Sequence, residues 1–264
     1  MPDKETTSIR IEIVQFLTED DEQQGMELYE VIKRIEAEDP IYKVKPHEVH
    51  TKEQFLKALD DICDSITEPT LLTLHIDSHG CEEGIGIDGR ANFISWTELF
   101  DHIRPINEKL HNTLMLVLSV CTGAGIMTRL EPQKRAPYMA YIANTREITF
   151  PDAAKAFPEF YRTYRTVLDF PAALKALNDT IDFSEPLPDG RKKTEFFVYS
   201  SKELFDQVMN PDRDPENFRK IALSMRYTDP SMTDEEKIEV ARRMIIKEAD
   251  RLRPYFNFQD VLES

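Results

Sequence analysis

The sequence predicts an α/β protein, with a mostly parallel sheet sandwiched by helices and a C-terminal helical appendage. Three observations carry that expectation. From Ile9 to about Ser200, short apolar runs alternate with amphipathic helical stripes, and such alternation builds parallel sheets because each crossover helix returns the chain to the same sheet end. Residues 71–76 and 114–118 are nearly continuous apolar runs, as in strands covered on both faces. Beyond residue 201 the strand signal stops and only helical periodicity remains. The expected division is therefore 1–200 for the α/β domain and 201–264 for a helical extension packed on or next to it.

Ile9, Ile11 and Ile13 alternate with polar residues and lead into Val14 and Phe16, a first strand. An acidic stretch then opens a helix that shares Leu28, Val31, Ile32 and Ile35 on one face and stops at Pro40. Thr51 and Gln54 make a capping-box pattern before Phe55, Leu59, Ile62 and Cys63. His47 and His50 flank a strand-like stretch and are expected at the surface. Pro69 ends the second helix and the 71–76 strand follows. Residues 81–90, rich in Gly and Asp, read as a small hairpin. Ser95 and Glu98 cap a helix carrying Trp96, Leu99, Phe100 and Ile103, which Pro105 is expected to kink or end. After the 114–118 strand come a strand over 138–143, helices over 152–168 and 171–177, and a last strand over 196–199. Thr233 and Glu236 open a long final helix through Ile238, Ala241, Ile245 and Ala249.

The 264 residues are 41% hydrophobic and 31% charged, a soluble, globular composition. No window approaches eighteen apolar residues, and MPDKETTSIR lacks the apolar segment of a signal peptide. The formal charge is −16, and residues 1–70 hold 8 Lys/Arg against 18 Asp/Glu. Coulomb repulsion makes nucleic acid and anionic membranes poor partners for such a surface. Three scattered cysteines, at 63, 81 and 121, form neither a disulfide framework nor a CxxC metal site and fit a reducing, cytoplasmic location. No metal or other cofactor is expected.

In open α/β sheets, functional groups gather where strands end. Two ends stand out: Leu74-His75-Ile76-Asp77-Ser78-His79-Gly80 and Leu118-Ser119-Val120-Cys121-Thr122-Gly123. The 42 residues from His79 to Cys121 suit a crossover that sets the two strands side by side. A free thiol is mostly protonated at neutral pH, and an imidazole beside it helps form the attacking thiolate. Backbone N–H groups of Gly80 and Cys121 are candidates for stabilising a tetrahedral oxyanion. His75, mid-strand, reads as a hydrogen-bonded core histidine. Cys63 reads as core, and Cys81 as a second thiol without its own base. The Gly84-Ile85-Gly86-Ile87-Asp88-Gly89 segment opens no helix and so fails the phosphate-loop test. Lys134-Arg135 reads as a solvated loop, with processing there as the alternative.

Strand–Ser78-His79-Gly80 followed by strand–Cys121-Thr122-Gly123 resembles the caspase-like cysteine peptidases, the clan of caspases, metacaspases, separase and bacterial CHAT-type proteases. The helix start Ile94-Ser95-Trp96-Thr97-Glu98-Leu99 is similar to CHAT-type domains. The resemblance implies a caspase-like fold and an intracellular cysteine endopeptidase with His79 as general base and Cys121 as nucleophile. It also implies a protein or peptide substrate and control by a regulatory partner or by processing. Metacaspase-like members place an acidic residue two positions before the cysteine, where this chain has Ser119, and the caspase Gln-Ala-Cys-Arg-Gly stretch is absent. Neither basic nor acidic specificity transfers, and Asp77, Ser119 and Asp152 remain candidates for a substrate pocket. The rival reading is a catalytically inactive scaffold of the same fold serving protein interactions. A third is another cysteine hydrolase or transferase on the same kind of sheet.

Overall fold

The structure, a computed structural model, describes residues 8–262 except 69, 88, 89, 168, 188 and 226–230. Pro69, Asp88, Gly89 and the N-terminal residues 1–7, all read above, lie outside the described residues. Two compact units emerge, one of residues 1–129 with 137–200 and one of 130–136 with 201–264.

The first unit is built on a six-stranded sheet. Its strands are β1 (Ser8–Phe16), β2 (Tyr42–Val49), β3 (Thr70–Ser78), β7 (Met115–Ser119), β8 (Ala140–Asn144) and β9 (Phe196–Ser200), ordered β2-β1-β3-β7-β8-β9. The first five are mutually parallel, and β9 runs antiparallel along β8. Between β3 and β7 lies a small antiparallel sheet of β4 (Gly80–Cys81), β5 (Gly84–Ile87) and β6 (Asn92–Ser95), the expected hairpin with one more strand. A sheet of this kind between helices is the mostly parallel α/β architecture the sequence predicts.

Alternation along the strands sorts the two faces. Ile9, Ile11 and Ile13 of β1 join Met115 and Val117 of β7 in one core. Helices α1 (Gln24–Glu38), α4 (Phe150–Val167) and α5 (Phe170–Asp179) cover it with Leu28, Ile32, Phe157, Phe160 and Leu177. On the other face α2 (Lys52–Asp64) and α3 (Trp96–Lys109) supply Phe55, Trp96 and Phe100, all fully buried. Phe16 meets Phe55 there, with ring centroids 5.1 Å apart. The start of α2 is capped as expected: Thr51 Oγ1 accepts from the Gln54 amide at 3.2 Å. The Gln54 side chain reaches one residue further back than the pattern implies, accepting from the His50 amide at 2.8 Å.

Two expectations are corrected. Pro105 does not end α3, which continues to Lys109. The proline is exposed while Ile103, Ile106 and Asn107 are buried, so burial on the opposite face carries the helix on. The strand-like stretch before Thr51 is indeed a strand, β2, whose Pro46 is tolerated because β2 is the sheet edge. His47 in that strand is not a surface residue. It lies 2.5 Å from Glu12, a fully buried carboxylate that also accepts from Arg10.

The second unit is helical. It contains α6 (Ser201–Val208), α7 (Pro215–Ser224), α8 (Asp234–Phe256) and α9 (Gln259–Leu262). The capping box of Thr233 and Glu236 opens α8 with both reciprocal bonds formed. Arg135 is not a solvated loop residue. Its guanidinium grips Asp260 with two 2.8 Å bonds and lies 4.4 Å from the Tyr255 ring centre and 4.7 Å from that of Phe258. A cation held by a carboxylate and two rings ties the 130–136 segment to the end of α8.

Candidate active site

Because β1, β3 and β7 are parallel, their C-terminal ends meet at one edge, with Phe16 opposite Ser78 and Asp77 opposite Ser119. His79 is the first residue beyond β3, and Cys121 the second beyond β7. Gly80 brings them together. A Cβ there would sit 2.4 Å from the Cys121 carbonyl oxygen and 3.1 Å from Val120 Cβ, so only glycine lets the two backbones touch.

The turn after the cysteine is strained. Thr122 has φ +52°, a left-handed conformation that costs a β-branched residue on the order of 1–3 kcal/mol. Three hydrogen bonds hold it there. Its N–H donates to Arg146 O at 2.9 Å, its Oγ1 to Cys121 O at 2.8 Å, and its own carbonyl accepts from Gly125 at 2.9 Å.

The His79 side chain is 48% exposed, and its Nε2 lies 2.9 Å from Asp21 Oδ1. The other Asp21 oxygen accepts from both the amide and the hydroxyl of Thr18, each at 2.8 Å. Partial burial pushes the Asp21 carboxyl up, but the Thr18 donors and His79 outweigh it and hold it below the usual carboxylate range. The Phe150 ring stands edge-on to the imidazole, centroids 5.6 Å apart. The Cys121 thiol donates to Ile148 O at 3.7 Å, and burial pushes its pKa up. Thus His79 and Cys121 stand at neighbouring strand ends, yet in this conformation the imidazole bonds Asp21 and the thiol bonds Ile148.

Of the pocket candidates, Asp77 and Ser119 share a partner, Gln24. Gln24 Nε2 donates to Asp77 Oδ1 at 2.5 Å and reaches Ser119 Oγ at 3.5 Å. Both acceptor residues are buried. Asp152, in the first turn of α4, accepts from Thr149 Oγ1 at 2.7 Å and pairs with Lys193 at 2.9 Å. The Cys81 thiol donates to Glu83 at 3.3 Å. Among the described residues, no three His, Cys, Asp or Glu side chains are grouped to hold a metal ion. No helix among them is long and apolar enough to cross a membrane.

His75 and Asp77, two apart on β3, titrate in opposite senses. Burial pushes the His75 imidazole down to about 3; its Nδ1 lies 3.2 Å from the Tyr161 hydroxyl. Burial pushes the Asp77 carboxyl up to about 7, against the hydrogen bonds from Gln24, Ser119 and Gly25. The unfolded chain binds the extra proton at His75 below about pH 6.5, so that site makes stability rise with pH from about 3 to 6.5. At Asp77 the folded chain binds the extra proton from about pH 4 to 7, so stability falls with pH there. Asp77→Asn removes only the second slope. Relative to wild type, its urea midpoint is expected to climb steadily from pH 4 to 7; a constant difference would refute an elevated Asp77 pKa.

Sequence reasoning missed Asp21, Gln24, Ile148 and Phe150. A signal for the first existed: Thr18 to Asp21 follow the end of β1, and the strand-end rule that selected His79 and Cys121 applies there equally. Ile148 and Phe150 carry no local signature.

No protein-family model matches the chain, and no curated protein matches it in sequence. Among solved structures, it is similar to the crystal structure of the Drosophila initiator caspase Dronc. The match has a TM-score of 0.50 and 12% identity, and covers 71% of this chain and 78% of that one. At that identity the likeness establishes the fold, which is caspase-like.

Proposed function

We propose that this caspase-like chain is a cysteine endopeptidase in which Cys121 is the nucleophile, His79 the general base and acid, and Asp21 the residue that orients His79. The observation that carries the reading is the backbone contact of Gly80 with Cys121, which joins an imidazole and a thiol at neighbouring strand ends of a caspase-like sheet.

With Nε2–H donated to Asp21, Nδ1 of His79 is the basic nitrogen. It takes the Cys121 proton as sulfur attacks the scissile carbonyl carbon, and the carbonyl electron pair moves onto oxygen. The amides of Gly80 and Cys121 stabilise that oxyanion. Collapse breaks the C–N bond, and His79 returns the proton to the leaving amine. Water, deprotonated by His79, then cleaves the thioester and regenerates the thiol.

The raised Cys121 pKa and its bond to Ile148 O describe a resting thiol. Activation requires the thiol to turn from Ile148 to His79, a step suited to control by substrate, partner or processing. Asp77 and Ser119 form the polar ground behind the nucleophile, and Asp152, neutralised by Lys193, is the weaker pocket candidate. Placement among CHAT-type proteases rests on the two motifs and the 94–99 helix start alone.

The test uses two electrophiles. Iodoacetamide is expected to label Cys121 slowly at pH 7 and faster as pH rises past 9, because a raised pKa lowers the thiolate fraction at every pH below it. A peptidyl acyloxymethyl ketone, which needs the assembled site, is expected to label Cys121 in the wild type and not in His79→Ala. Equal ketone labelling of both proteins would leave the inactive-scaffold reading in place. Asp21→Asn is expected to lower kcat about 10- to 100-fold with little change in KM. An unchanged kcat would remove Asp21 from the mechanism.

A further inference from the structure

A cavity of about 430 Å³ opens beside His79 and Gly80, with Cys121 outside its lining, and the reaction above assigns it no occupant. Its walls come from His79, Cys81, Gly86, Ile87, Arg90 and Phe93, the last five on or beside the small antiparallel sheet. Glycines at alternate positions of β5 leave its face without side chains, and the Phe93 ring lies across it: a Cβ on Gly84 would stand 2.9 Å from the ring tip. Ile85 and Ile87, both in its lining, are themselves buried. Arg90 is exposed at the rim and makes no ion pair among the described residues, in a chain of net charge −16. The volume lies in the range of small-ligand sites, about 300–1,000 Å³.

Chemistry assigns the direction of the substrate. The nucleophile attacks the carbonyl carbon and the general acid protonates the amine that departs, so the departing segment lies on the His79 side. We infer that this cavity receives the departing segment, seating an apolar side chain directly after the scissile bond on Phe93 and a carboxylate one residue later at Arg90. The inference rests on the peptidase reading for its direction, and it names the substrate class that reading leaves open.

Cys121→Ala full-length protein, which cannot turn over, is titrated with the dipeptide amides Leu-Asp, Gly-Asp and Leu-Lys, followed by isoleucine methyl NMR at Ile87. Leu-Asp is expected to bind about tenfold more tightly than Gly-Asp, the scale of burying one leucine side chain, and more tightly than Leu-Lys, whose charge is opposite. Phe93→Ala is expected to erase the Leu/Gly difference and Arg90→Ala the Asp/Lys difference. Arg90 is exposed, so its replacement leaves the fold intact even where Phe93→Ala disturbs the sheet. Equal affinities for the three probes, or an Asp/Lys difference that survives Arg90→Ala, would overturn the inference. A parallel digest with wild type separates the two readings. Discrimination without cleavage sinks the peptidase and keeps the pocket; cleavage indifferent to the residues after the cut sinks the pocket alone.

Discussion

Replacing Cys121 by Ala is expected to abolish peptide cleavage while leaving the unfolding midpoint close to wild type. In the proposed reaction Cys121 carries the acyl bond, and its side chain is only part-buried, with one long hydrogen bond to Ile148 O. His79→Ala is expected to cost about 10²–10⁴-fold in kcat, the usual span for a lost general base. It too should fold normally, because the imidazole is half exposed. The pair of variants is read in one assay, mass-spectrometric digestion of a mixed peptide pool at matched protein concentration. Wild-type rates in either variant would end the assignment. A loss in both, with unchanged near-ultraviolet circular dichroism, separates chemistry from folding.

The largest stability effect is expected at Glu12, far from that chemistry. Its carboxylate is fully buried between Arg10 and His47, whose side chains are 18% and 11% exposed. Glu12→Ala removes the carboxylate that both Arg10 and His47 contact and leaves those two partly buried side chains without it. Breaking one side of a buried pair costs about 3–5 kcal/mol; here the exposed edges of Arg10 and His47 place the loss near the lower bound, about 3 kcal/mol. Glu12→Gln keeps an acceptor for Arg10 and is expected to lose less. Urea unfolding followed by Trp96, the single tryptophan and fully buried, reads both variants. An Ala variant within about 0.5 kcal/mol of wild type, the usual surface range, would show that the cluster contributes no net stability.

The legible features were those written in short spans of sequence. Continuous apolar runs marked β3 and β7 as central strands, because a strand covered on both faces cannot alternate. Caps at Thr51, Ser95 and Thr233 marked helix starts, because the bond each makes spans only three residues. The adjacency of the His79 and Cys121 strand ends followed from a crossover of the right length. Features that depend on partners distant in sequence were not legible. His47 looked like a surface residue because its partner, Glu12, lies 35 residues away on the next strand. The bond from Asp21 to His79 spans 58 residues. Pro105 failed as a helix stop because burial on the far face of α3, not the local backbone, decides where that helix ends.

By itself, then, the sequence determined the α/β order of elements and which two strand ends carry a thiol and an imidazole, since both are matters of local period and spacing. Only the tertiary structure decided the rest. It placed Asp21 on the imidazole, turned the Cys121 thiol to Ile148, buried Asp77 under Gln24, and opened the cavity lined by Phe93 and Arg90. Each is an outcome of three-dimensional packing, where burial and hydrogen bonding act between groups that no periodicity connects.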